Sequence, residues 1–368
     1  MHKEIITNKQ GILIMSMFIF GSSILTGTST EAKQDAWIAN LLGLLFVFPL
    51  LFIYSKLLTL YPGKDLYDIL VETFGKVTGK IISLLYVWYT FHLGALVIRN
   101  FSGFVNITSF PETPQTMIIL FVGLFCIWVV KAGIEVLGRW AAFAFPISIS
   151  IIVITIILSM TNAHIINLKP VLYNGFKPVL ISSFEFLSFP LAETVVFTMV
   201  FNKLKTEKKT FKAFLISACV GSIIILSIAV RNILVLGVPL TSAMYFPSYV
   251  AVRTINIGDF FQRFEIVVAL TFIFGGFVKI SVCLYAATIG LAKILNIYNY
   301  RYLVAPVGFM MMCLSNIIYE SVMEMFDWAT NVYPYYAIPF QIILPIIIFI
   351  VAKIKLKIKS KKQTMATQ

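Results

Sequence analysis

A chain of 368 residues that is 59% hydrophobic and only 12% charged is no ordinary soluble domain; this is the composition of a polytopic helical membrane protein. The net charge of +13 does not call for nucleic acid, because the basic residues sit in short loops and a tail between apolar runs, the pattern that orients membrane spans. Cys126, Cys219, Cys283 and Cys313 are scattered through apolar segments and His2, His92 and His164 form no cluster, so no disulfide framework, metal site or cofactor is expected.

A window of about 20 residues gives about ten spans, near 10–29, 36–60, 81–106, 115–132, 138–160, 179–202, 211–237, 262–293, 301–319 and 335–354. The runs are too long and continuous for barrel strands, so the fold class is all-α integral membrane. Lys and Arg are in roughly threefold excess on the side shared by the two termini, which places both termini in the cytoplasm. The expected organisation is one transmembrane domain over 1–368. It comprises a first five-helix repeat over 10–160, a second over 179–354, and a basic cytoplasmic tail over 355–368 that rests on anionic lipid. Two sets of five spans have opposite topology, as an inverted repeat requires.

The second half of span one, Phe20-Gly-Ser-Ser-Ile-Leu-Thr-Gly-Thr-Ser29, is rich in Gly and hydroxyl residues. Gly weakens a helix and Ser or Thr can satisfy freed backbone, so the segment can unwind between Gly21 and Gly27; alternatively it is a small-residue packing face. Between spans two and three, Leu66, Ile69, Leu70 and Phe74 recur at helical spacing and predict an amphipathic helix on the membrane or on the bundle. Span three carries Tyr86, Tyr89 and His92 on one stripe that can face a cavity, with His92 also readable as a packing residue.

Span six is the most informative stretch. Within Ile181-Ser-Ser-Phe-Glu-Phe-Leu-Ser-Phe-Pro-Leu-Ala-Glu-Thr-Val-Val-Phe197 stand two carboxylates, Glu185 and Glu193, with Pro190 between them. An ionised side chain at the bilayer centre costs on the order of 3 kcal/mol, and Pro190 removes a backbone donor and clashes with the preceding turn. Irregular backbone at that depth must face protein or a water-filled cavity. Ser182, Glu185 and Ser188 recur every three residues, with Phe189 near the same face, so a discontinuous helix building a small-molecule site is expected. With span one, it makes a pair of interrupted helices in corresponding positions, the sequence pointer to a midplane site. The segment Val238–Gln262 reads as an external lid or a partner-docking loop. Lys279 in span eight lies too deep to snorkel and must be neutral or paired, with Glu193 and Glu185 as candidate partners; it serves either a structural pair or ion and proton coupling. Arg263 and Glu265 read as a gate or an interfacial pair.

These residues also carry a resemblance. Phe189-Pro-Leu-Ala-Glu193 resembles the Phe-Pro-x-(Gly/Ala)-Glu signature of the spore germination permeases, the B subunits of endospore germinant receptors in the amino acid–polyamine–organocation superfamily. Gly21-Ser-Ser-Ile-Leu25, Tyr61-Pro-Gly with Gly75-Lys and Gly79-Lys, Leu168-Lys-Pro-Val-Leu-Tyr-Asn-Gly175, Phe246-Pro-Ser, Arg253 and Asp259-Phe-Phe-Gln-Arg-Phe-Glu265 are similar to family segments in the same order. The resemblance implies a ten-helix transporter-like fold with helices one and six discontinuous. It implies residence in the spore inner membrane, and assembly with a membrane A subunit and a lipoprotein C subunit. It also implies a small germinant, often an amino acid, bound at the broken helices. Gly21, Ser22, Ser23, Ile24 and Leu25 would receive its carboxylate and amine, joined by Tyr89, Glu185, Ser188, Phe189, Pro190 and Glu193. The chain departs from the family pattern at Ser23, Gly27 and Thr28, so the identity of the ligand does not carry over. Two functions follow: a sensor that passes germinant binding to partner subunits, or a proton- or sodium-coupled amino-acid transporter. An enzyme finds no nucleophile–base set, metal cluster or phosphate loop in its favour.

Overall fold

The computed structural model describes residues 4–26, 30–205, 210–255 and 264–366. Among these residues there is no β-strand beyond one isolated bridge, and eight helices are long and apolar enough to cross a membrane. The helices are α1 (Asn8–Thr26), α2 (Ala36–Leu60), α3 (Leu66–Phe74), α4 (Lys76–Thr108), α5 (Gln115–Ala132), α6 (Ile134–Ser159) and α7 (Lys177–Phe186). They continue with α8 (Thr210–Ala243), α9 (Pro247–Arg253), α10 (Phe264–Leu295), α11 (Arg301–Ile317), α12 (Val322–Asp327), α13 (Tyr333–Ile338) and α14 (Leu344–Ala366). At the centre, α1 packs against α8 and α10, and α10 against α4 and α6. The periphery exposes large apolar side chains such as Phe121, Phe125 and Trp128 on α5, the surface a bilayer covers.

The first helix differs from the expectation. It runs unbroken through Thr26, with residues 27–29 outside the described residues. Its glycine is a packing device: a Cβ on Gly21 would lie 2.5 Å from the carbonyl carbon of Gly275, and one on Gly275 only 2.4 Å from the Cα of Gly21. The two helices touch backbone to backbone, as small residues permit in membranes. The sixth span of the sequence, here called helix six and distinct from α6, begins with α7 and is interrupted as its Pro and carboxylates imply. After α7 comes a π turn over Leu187–Leu191 in which Phe189 is extended (φ −132°, ψ 114°), the region into which a following proline drives a residue. Ala192–Met199 then continues as 3₁₀ turns. The last span is also irregular, with π turns over Trp328–Val332 and Pro339–Ile343. Its helix continues to Ala366, so the basic segment expected as a tail from 355 is an extension of α14.

The amphipathic helix α3 lies on the bundle. Asp65 and Asp68 close a capping box at its start, Tyr67 donates to the Ala286 carbonyl, and Lys293 pairs with Asp65 and Asp68 at 2.6 and 2.5 Å. Lys355 donates to the carbonyls of Glu72 and Thr73 at the C-terminal end of α3, where cations suit the helix dipole. The N-terminal segment closes the same face. Ile6 bridges Lys203 and Lys205 through backbone bonds of 2.9 Å, Ile5 donates to Glu135, and Glu4 takes Arg301 and Tyr300, each at 2.9 Å. Thr7 and Gln10 exchange bonds as an N-terminal capping box for α1. On the opposite face, α8 bends at Gly237 (φ 71°), and His164 and Asn167 of the 161–177 linker anchor to the Leu234 carbonyl. The expected outer lid is described here only through residue 255; Arg263 and the side chain of Glu265 lie outside the described residues.

Candidate functional site

Lys279 stands at the middle of α10, and its ammonium lies 2.5 Å from a Glu193 carboxylate oxygen with neither side chain exposed. It also donates to the Ser22 hydroxyl on α1 at 2.8 Å, and it sits 5.0 and 4.8 Å from the ring centres of Phe18 and Phe189. The other Glu193 oxygen accepts from the Tyr333 hydroxyl. One ion pair therefore ties α1, broken helix six, α10 and the last span together, with each charged group given polar partners as burial demands. The candidate partner Glu185 is not used by Lys279.

The network extends from Tyr333. Its hydroxyl lies 3.4 Å from that of Tyr89 on α4, and Tyr89 accepts from the Gln341 amide at 2.9 Å. The same amide nitrogen donates to the Ser188 carbonyl, and Ser188 donates back to the Gln341 side chain. Tyr54 on α2 donates to the Gln341 carbonyl at 2.5 Å. The Ser188 and Gln341 carbonyls in two of the π turns thus find side-chain partners inside the protein, which is what membrane depth requires.

Beside this knot lies a cavity of about 280 Å³. Its walls come from α4 (Leu93, Leu96, Val97, Asn100), helix six (Glu185, Phe186, Phe189, Glu193), the end of α8 through Tyr245, Tyr319 in the connection between α11 and α12, and the last span with Trp328 and Tyr333. Of the residues singled out in the sequence, Glu185, Phe189 and Glu193 face the cavity. Ser22, Tyr89, Ser188 and Lys279 belong to the network beneath it. Gly21 packs on Gly275, Ser23 donates to the Ile19 carbonyl, and Ile24 and Pro190 are buried away from the cavity. The side chain of Leu25 lies outside the described residues. The continuous α1 therefore presents no unwound backbone at Gly21–Ile24. His92 is a packing residue: it stacks on Trp88 with ring centres 5.4 Å apart and meets Trp328 and Tyr336 edge-on.

Tyr333, Gln341, Tyr54 and Trp328 are the members that sequence reasoning missed. Starting the last span at 335 left Tyr333 in a loop. The available signal was Gln341 within an apolar run bracketed by Pro334, Pro339 and Pro345, a third interrupted segment.

A helix broken beside a buried and a half-buried acid, packed in an apolar helical bundle, defines a polytopic membrane protein, and its fold is like that of transporters. The fold aligns with Mhp1, a nucleobase-cation-symport-1 family transporter in a closed conformation with bromovinylhydantoin bound, at TM-score 0.69 and 14% identity, covering 94% of this chain and 78% of that one. It aligns likewise with MhsT in complex with L-phenylalanine, at TM-score 0.67 and 13% identity, covering 92% and 88%. The family is given by sequence: the chain belongs to the spore permease family, described as spore germination protein, whose profile matches residues 5–322. It is 32% identical over 367 residues to spore germination protein KB of Bacillus subtilis (strain 168), covering 99% of this chain and 98% of that protein. It is 28% identical over 330 residues to the putative spore germination protein YfkT of the same organism, covering 88% and 89%.

Proposed function

We propose that this protein is the ligand-binding membrane subunit of a spore germinant receptor. It takes a small germinant, an amino acid or a molecule of that size, into the cavity beside Glu193. It passes the change to a membrane A subunit and a lipoprotein C subunit in the spore inner membrane, with both termini on the core side. Ten spans in two inverted sets of five, 10–160 and 179–354, are part of this reading. The observation that carries it is the cavity itself, which rests on the broken helix and on a charged knot joining four helical elements. A volume of about 280 Å³ is near the lower end of ligand pockets, fitting a small metabolite. A ligand touching Glu193 or Tyr333 acts on α1, α10 and the last span together, so binding energy can shift how they pack.

A second reading, proton- or sodium-coupled amino-acid uptake, is favoured by the likeness of the fold to transporters. Against its sodium-coupled form, the cation at the centre is the tethered ammonium of Lys279 paired with Glu193, which fills the place of an exchangeable metal ion. The test is germination of spores carrying Glu193→Gln or Trp328→Ala from the native locus. Glu193→Gln is expected to abolish the germinant response, and Trp328→Ala to raise the required germinant concentration about tenfold or more, each read at matched abundance of the protein and its A subunit. Normal responses from abundant variants would contradict the proposal.

A further inference from the structure

The charge on the cavity wall is one-sided. Among the described lining residues the only ionisable acids or bases of the carboxylate, lysine, arginine or histidine type are Glu185 and Glu193. Glu193 is neutralised by Lys279 at 2.5 Å. Glu185 is half-buried and makes no ion pair among the described residues; it is hydrogen-bonded with Ser182, and the nearby charge it feels is that of a second carboxylate, Glu31. Arg99, on the same helix as Asn100, is engaged by the Gln115 side chain and the Tyr319 carbonyl at 2.5 and 2.6 Å. Among the described residues, the cavity therefore holds one acid, Glu185, with no counter-ion and offers no cation to an anionic ligand.

The remaining wall suits a cation. Trp328 stands 5.5 Å from Tyr333 and 6.0 Å from Tyr319, ring centre to ring centre. Tyr333 meets Phe189 edge-on at 6.1 Å. Aromatic faces attract ammonium groups, most strongly where water is scarce, and an unpaired carboxylate in such a place is stabilised by an ammonium that hydrogen-bonds it.

We propose that the cavity selects ligands that carry an ammonium group on an apolar body, with Glu185 as the counter-ion and the Trp328–Tyr333–Phe189 wall against the cation and the body. This rests on the reading of the cavity as the germinant site and narrows it: the amine is the anchored end of the ligand, and a carboxylate is not required.

The experiment uses the full-length protein in nanodiscs of zwitterionic phosphatidylcholine, with empty nanodiscs to subtract partitioning. Four probes share one body and differ in charge: phenethylamine, L-phenylalanine, 2-phenylethanol and 3-phenylpropionate. Calorimetric titration is expected to rank phenethylamine at least level with phenylalanine, and both about tenfold or more above the alcohol and the carboxylate. Glu185→Gln is expected to erase the advantage of the amine over the alcohol while alcohol binding persists, and Glu185→Asp to retain part of that advantage. Trp328→Ala is expected to weaken all binders. Equal or tighter binding of the carboxylate, or an amine preference untouched by Glu185→Gln, would overturn the assignment while leaving the cavity as a binding site. Absence of binding by every probe would overturn the assignment and the cavity reading together.

Discussion

Lys279 and Glu193 meet in the middle of the bundle with neither side chain exposed, whereas Lys293 meets Asp65 and Asp68 at the terminus-bearing face with 34% of its side chain in solvent. The chemistry is the same and the electrostatics are not. Water reaches Lys293 and Asp68 and screens their contact, while Asp65 is buried beneath them, so the cluster acts as a staple between α3 and α10. The first pair has no water to fall back on. Losing one partner strands a charge, and the whole junction of α1, helix six, α10 and the last span must respond. The buried pair is suited to coupling a ligand to helix packing, and the surface cluster to holding an accessory helix in place.

The largest expected effect follows from breaking the buried pair on one side. Lys279→Ala should destabilise the protein by about 3–5 kcal/mol, the cost of an uncompensated buried charge. Adding Glu193→Gln should restore part of that loss, and a thermal-melting double-mutant cycle reads the coupling. Strictly additive losses would remove the pair from this role. Next comes the helix crossing that supports it. Gly275→Val forces a side chain into the Cα of Gly21 and should cost about 1–3 kcal/mol as overpacking. Gly276→Ala should cost less, because its new Cβ meets the edge of the Phe101 ring, with the nearest atom at 3.2 Å. Equal melting shifts for the two would deny the close contact.

At the rim of the bundle Asp65 is itself buried, so Asp65→Asn should cost about 1–2 kcal/mol and should carry a pH signature. Burial, opposed by Lys293, holds the Asp65 carboxyl above the usual carboxylate range. The folded protein then holds this proton more tightly than the unfolded chain. Its contribution to stability is fully present below the unfolded-state value of about 4 and is lost as pH rises through the elevated folded value. The stability of the unaltered protein relative to Asp65→Asn should fall over that rise, as melting curves at stepped pH would read. A constant difference would show that Asp65 titrates alike in both states. Smallest of all, Lys64→Ala removes an exposed pair with Glu72 and should change stability by about 0.5 kcal/mol or less.

The legible parts of this fold are those where cost per residue is high. An apolar run of span length, a proline between two carboxylates and a lysine at mid-depth each admit few solutions in a bilayer. The broken helix six and the Lys279–Glu193 contact were accordingly readable from the chain. Gly21 was ambiguous because a glycine signals unwinding and close packing equally; only its partner Gly275, more than two hundred residues away, decides between them. The cavity wall was not legible, since Tyr319, Trp328 and the Ser242–Tyr245 turn reach it through long-range packing that leaves no periodic mark. Tyr333 was lost through a boundary set two residues late, where π turns extend the last span beyond its apolar run.

The most direct test of the sensor reading separates binding from movement. The purified protein, alone in liposomes, would be screened with amino acids and amines for thermal stabilisation, which reaches about 2.7 kcal/mol at a hundredfold excess over the dissociation constant. Any binder would then be followed as a labelled solute. Saturable binding that depends on Glu193, with no accumulation inside the liposomes, is the expected result. Accumulation that Glu193→Gln abolishes would contradict the sensor reading and make this protein a transporter.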